Sequence, residues 1–167
     1  LQLYKMLRNK TAGQPLEDLL KLVEKDEPPL PSIIKQYALQ YALNLCIGQL
    51  NLGKNEYADH FLRVTDLLIA NNAFIEGGEL SPARYTNTIT VALRAGRLLW
   101  ATGFLEKYKA LLPGAFRDDS YDYNLANLFY HQNKKEQASE VLAQLATKDT
   151  YEAISVRTLQ AKIFYET

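Results

Sequence analysis

The sequence holds a single cysteine, Cys46, among 167 residues. A disulfide within the chain is therefore impossible. Cys46 lies in the apolar run Ala42-Leu43-Asn44-Leu45-Cys46-Ile47, which predicts a buried, inert thiol and fits a reducing, cytoplasmic setting. Excess charge of either sign is also missing: 19 basic and 19 acidic side chains leave a formal net charge of zero. Nucleic-acid binders draw much of their affinity from phosphate neutralisation and usually carry a basic excess, so no nucleic-acid partner is expected. No apolar run approaches the roughly 18 residues that span a bilayer, and the first residues do not read as a signal peptide, so no membrane association is expected either. Asn9-Lys10-Thr11 matches the N-glycosylation triplet, a short pattern that arises often by chance.

Chemical motifs are equally scarce. GxSxG, CxxC and the Gly-rich dinucleotide fingerprint are all absent. His60 and His131 belong to no metal-ligand spacing. Asp118, Asp119 and Asp122 lack the loop glycine and distal glutamate of a calcium-binding EF-hand, and read instead as acids at a helix start, where the helix dipole favours them. Gly48-Gln49-Leu50-Asn51-Leu52-Gly53-Lys54-Asn55 nearly spells a phosphate-binding loop. Asn55 cannot supply the magnesium-ligating hydroxyl, however, and Gly53 is expected to end a helix, whose C-terminal partial charge repels phosphate. No catalytic, cofactor-binding or metal-ligating residue is assigned, and the chain is not expected to be an enzyme.

What the sequence does have is helical patterning. Apolar residues make up 47%, enough for a continuous core. Leu16, Leu19, Leu20 and Val23 recur at helical spacing, with Pro15 suited to a first turn. Glu27-Pro28-Pro29-Leu30-Pro31 interrupts, because prolines cannot continue a helix. Pro31 opens a second helix, expected to reach Leu52 before Gly53. Tyr57, Ala58, Phe61, Leu62, Thr65, Leu68 and Ile69 mark the next face, ending near Asn71-Asn72. Ser81-Pro82 is an N-cap with a first-turn proline, and the helix after it is expected to run to Ala101 and stop at Gly103. A shorter helix, Phe104 to Leu112, ends at Pro113-Gly114. A helix that starts at the aspartates runs to Asn133, residues 134–147 form its partner, and Thr150 caps a last helix. With a first helix around Leu3, Tyr4, Met6 and Leu7, this makes about nine helices and an all-α fold. Leu1 and Thr167 both fall inside helical patterns, so a fragment of a longer chain is expected.

Short links favour antiparallel neighbours, and one pair has a distinctive spacing. Leu125, Ala126 and Phe129 precede the turn residue Asn133, and Ala138, Leu142 and Leu145 follow it. Two antiparallel helices approach closely only where a small side chain on one meets the other, and Ala126 and Ala138 are such residues. This segment, 119–147, resembles a tetratricopeptide repeat. A weaker copy spans 37–72, with Leu45, Cys46, Gly53, Ala58, Leu62 and Thr65 in the same spacing and Gln49 in the aromatic position. A third, poorer copy runs through Ala95, Gly96, Leu99 and Gly103 to Tyr108 and Leu112. The turns assigned at Gly53, Gly103 and Asn133 do not hold the family period of about 34 residues.

The resemblance implies a right-handed α-α superhelix, a solenoid of antiparallel helix pairs over residues 1–167 as a single degenerate repeat domain. It also implies a function: a non-catalytic interaction module or scaffold, with a protein or peptide partner held in a concave groove lined by the first helix of each pair. On the best-matched pair the groove positions would be Tyr123, Asn127, Tyr130 and His131. On the middle copy they would be Arg97 and Trp100, although for Trp100 a core anchor is the stronger reading. Some members of that family clamp a C-terminal carboxylate with lysine, arginine and asparagine, but Asn127 and Arg97 alone are too few for such a clamp. For any single tyrosine, packing with the hydroxyl at the surface is favoured over partner contact. The alternative to an interaction module is a regulatory or structural helical domain of a larger enzyme or transcriptional regulator. An ordinary helical bundle also needs apolar residues three and four apart; only the small-residue and turn spacing separates the two folds.

Overall fold

The computed structural model describes residues 13–145 and 150–166. The helix expected around Leu3–Leu7 and the Asn9-Lys10-Thr11 triplet lie outside the described residues. Within them the chain is all-α, with eight α-helices and no β-strand. It divides into two compact units, residues 1–76 and 77–167.

In the first unit, α1 (Gly13–Lys25) buries Leu16, Leu19, Leu20 and Val23, the expected stripe. Asp26, in the left-handed region at φ 49°, follows α1. Its carboxylate accepts from the Leu30 amide at 2.8 Å and from the Lys35 ammonium, which ties the proline-rich link to α2 (Ser32–Asn51). α2 and α3 (Tyr57–Ala70) pack as an antiparallel pair around Ala38, Leu39, Ala42, Cys46, Phe61 and Leu68. The other side of α2 is apolar as well, with Ile33, Tyr37 and Tyr41 exposed.

The second unit starts at the exposed Gly77-Gly78 turn, where both residues have positive φ. The Ser81 hydroxyl accepts from the Arg84 amide at 3.2 Å and caps α4 (Pro82–Arg94), as the sequence predicts. α4 does not run to Ala101, however. It stops at Arg94, and α5 occupies Leu98–Tyr108 with Gly103 in its interior. A 3-10 turn (Lys109–Leu111) leads to α6 (Arg117–His131), which is followed by α7 (Lys135–Gln144) and α8 (Thr150–Glu166). α6 is the hub: α4, α5, α7 and α8 all pack on it. Ala126, Ala138, Leu142, Val156, Leu159 and Ile163 form one continuous core between α6, α7 and α8.

The break after α4 falls at Gly96, not at Gly103 where the third copy of the expected spacing put it. Gly96 is the residue in the left-handed region, at φ 70°. Its amide donates to the Leu93 carbonyl at 3.0 Å, and the Arg97 amide donates to Ala92 at 2.8 Å. Paired bonds of this kind satisfy the last carbonyls of a helix and end it. Gly53 ends α2 with the same pair of bonds, to Leu50 and Gln49, and Asn133 ends α6 with bonds to Tyr130 and Phe129. Counted from each of these three residues, the fifth position onward is a buried alanine (Ala58, Ala101, Ala138) and the ninth a buried leucine (Leu62, Leu105, Leu142). Seven positions before each stands a fully buried Cys46, Ile89 or Ala126. Leu99, which the misplaced copy used as a packing residue, is 92% exposed. The three helical hairpins therefore share one register, set by the left-handed residue.

Candidate functional site

Three helices of the second unit each turn one stripe toward a common cavity of 230 Å³. α4 contributes Thr90 and Arg94, one helical turn apart. α6 contributes Tyr123, Asn127 and His131, spaced by four and so on one face. α8 closes the far side with Ser155, Thr158 and Lys162 and with the apolar Ile154 and Leu159. α5 and α7 also pack on α6 but contribute no residue to the cavity. α4 and α6 are the first helices of their hairpins, and α8 follows the last hairpin.

The lining contains two fixed cations and no carboxylate. Neither Arg94 nor Lys162 has an ion-pair partner among the described residues. Tyr123 is half-buried; burial raises its phenol above the usual range, and a hydrogen bond with Ser155 opposes that rise. His131 is shifted the other way. Desolvation, with the Lys162 charge as a second cause, holds its imidazole below the usual histidine range. Asn127 is 92% withdrawn from solvent, at 8% exposure, with its side chain at the cavity wall.

Three of the six residues assigned from sequence, Tyr123, Asn127 and His131, are thus brought together. The other three lie elsewhere. The Tyr130 hydroxyl donates to Glu166 Oε1 at 2.8 Å, and its ring packs against the α6–α8 core. Trp100 stacks on Phe104 with centroids 5.1 Å apart and ring planes 13° apart, a packing anchor within α5. Arg97 sits at the N-cap of α5, past the Gly96 turn, so it belongs to the link and not to the first helix. Arg94, three residues earlier, takes the place that Arg97 was expected to fill. Thr90, Arg94 and Lys162 were missed because the misplaced break shifted the α4 stripe, and because no local pattern joins Lys162 to α6.

Two further polar clusters among the described residues bond helix to helix. In the first unit, Arg63 of α3 holds two glutamates of α1: Nε and Nη2 donate to Glu24 at 2.7 and 2.6 Å, and Nη1 donates to both oxygens of Glu17 at 3.0 and 2.8 Å. His60 Nδ1 lies 3.8 Å from the same Glu17. The guanidinium is occupied by these bonds and is not free for a ligand. Fully buried Asn124 donates to Thr86 Oγ1 at 2.9 Å and to the Ser120 carbonyl at 2.7 Å, which joins α6 to α4 beneath the cavity stripe. A wider depression of 620 Å³ is lined by α8 alone, around Arg157, Ala161 and Tyr165, and a single helix cannot enclose a ligand. Gly48 lies inside α2 and Gly53 follows its end, so no phosphate-loop geometry exists there. Among the described residues no group of three or more His, Cys, Asp or Glu side chains is placed to hold a metal ion. No described helix is long and apolar enough to cross a membrane. Comparisons with protein-family models, curated proteins and solved structures gave no match.

Proposed function

We propose that the chain is a non-catalytic interaction module that holds a segment of a partner protein in the cavity lined by α4, α6 and α8. In this reading the helix pairs of the second unit are turns of a right-handed, tetratricopeptide-like α-α solenoid, with the first helices on its concave side. The observation that carries it is convergence: stripes from three helices, separate in sequence, meet at one cavity that presents Arg94, Lys162, Asn127 and hydroxyls and no acid. Stacked helix pairs leave such concave surfaces for binding. The shared register of the three hairpins supports the repeat reading, because the same small residue sits at the same distance from each turn. A cytoplasmic setting belongs to the same reading. Cys46 is fully buried, its thiol pushed up to about 12 by desolvation, and it needs no oxidised partner.

The test compares the full chain with an Arg94→Glu/Lys162→Glu variant as bait in affinity capture. Captured proteins are then purified and measured against both forms. The expected result is a partner that loses at least tenfold in affinity for the variant. Equal affinity for both forms sinks the proposal.

A further inference from the structure

We propose that this cavity takes a dianionic phosphoryl group, carried by a phosphorylated side chain of the partner, between Arg94, Lys162 and His131. The inference rests on the interaction reading above and names the chemistry that the cavity selects.

The first support is charge. Two fixed cations and one imidazole line an open cleft with no carboxylate. A monoanionic carboxylate offsets one of these charges; a phosphate monoester, at about −1.5 to −2 near neutral pH, offsets both cations. The second is direction. A carboxylate takes its donors near one plane, whereas three terminal phosphoryl oxygens disposed about phosphorus also take donors from outside any one plane. Here donors come from three helices: Thr90 and Arg94 from α4, Asn127 and His131 from α6, and Lys162 from α8. The third is the wall. Ile154 and Leu159 offer an apolar surface for the carbon stem of an ester, which inorganic phosphate lacks.

His131 makes the binding pH-dependent. The charged or titratable groups that share its cavity are Lys162 of α8, Arg94 of α4 and Tyr123 of α6; Tyr130 stands edge-on to its ring at 5.4 Å. In the free protein, desolvation and Lys162 lower the imidazole's pKa and so favour its neutral form. A dianion favours the protonated ring, so binding takes up a proton. Affinity therefore climbs as pH falls through neutrality, until the phosphoryl group takes up its own second proton at about pH 6 and the gain is lost.

The experiment is a set of NMR titrations of the full chain with phenyl phosphate, inorganic phosphate and benzoate, following backbone amides and the His131 ring. Phenyl phosphate is expected to give saturable shifts at Arg94, Asn127 and Lys162. It should raise the His131 midpoint and bind at least tenfold tighter than benzoate. Inorganic phosphate should bind more weakly than phenyl phosphate. Arg94→Ala and Lys162→Ala, each checked for an unchanged amide spectrum elsewhere, should each cost fivefold or more, and His131→Gln should abolish the rise in affinity as pH falls toward about 6, leaving only the loss from ligand protonation below it. Benzoate that binds as tightly as phenyl phosphate overturns the proposal, as does phosphate binding indifferent to both cation variants. Phosphatase treatment of a captured partner separates this inference from the broader reading. If the treated partner still binds, and still discriminates against the Arg94→Glu/Lys162→Glu variant, the phosphoryl inference fails and the interaction module stands.

Discussion

Arg63 shows how much a single side chain ties together in the first unit. It spans α3 to α1 with four short hydrogen bonds to Glu17 and Glu24. All three groups keep contact with solvent, so the network is worth far less than its count of bonds implies. Arg63→Met is expected to cost about 1 kcal/mol at low salt, read by urea unfolding, and less at high salt. The hydrogen bond from Arg63 holds the Glu24 carboxyl below its ordinary value of 4.5. A depressed carboxyl pKa stabilises the fold above the unfolded value and loses that contribution as pH falls through the folded one. The gap between wild type and Arg63→Met should therefore narrow as pH drops below about 4.5. Tyr85 makes the opposite kind of bond. It is fully buried, and its hydroxyl donates to the Leu105 carbonyl at 2.7 Å. Tyr85→Phe is expected to lower stability by about 1 kcal/mol, independent of salt, in thermal denaturation.

At the scale of the helices, the left-handed residues separate two kinds of information. Gly96 has φ 70°, and a Cβ there would meet nothing within 4 Å. Gly96→Ala therefore carries only the backbone penalty, about 1 kcal/mol. Asn133 adopts φ 60° with a side chain already present. Asn133→Gly should leave stability unchanged or raise it by a few tenths of a kcal/mol, because glycine is at ease there but has more freedom to lose on folding. Chemical denaturation of the two variants side by side checks the opposite trends. Ala101→Leu, at the close approach of α5 to α4, should cost about 1–3 kcal/mol by overpacking. The Ser81 cap, the proline break and the Asn133 turn were legible in the sequence because their chemistry is local. Gly96 and Gly103 were not distinguishable locally, as both are glycines within an apolar stretch. The choice falls to tertiary packing: only a break at Gly96 lets Ala101, Phe104 and Leu105 be buried together with Tyr85, Ile89 and Ala92. The cavity was legible to the same degree. The α6 stripe of Tyr123, Asn127 and His131 follows from spacing alone, whereas Arg94 needed the correct break and Lys162 needed the fold.

For the whole molecule, the boundary between residues 1–76 and 77–167 falls in an exposed link between helices. Glu76, Gly77, Gly78 and Glu79 are all exposed and lie outside any helix. A glutamate-specific protease is expected to cut first after Glu76 or Glu79, while exposed Glu27 is shielded by the proline that follows it. Mass spectrometry of the early products checks this; a first cut inside α1–α3 or α4–α7 contradicts it. The left-handed residues at Gly53, Gly96 and Asn133 stand 43 and then 37 residues apart, yet the positions counted from each coincide. The pattern is phase-locked without being periodic. Averaging the chain at any fixed wavelength smears the three copies into noise. Resetting the count at each left-handed residue brings them into step, and it was the structure that supplied the points at which to reset.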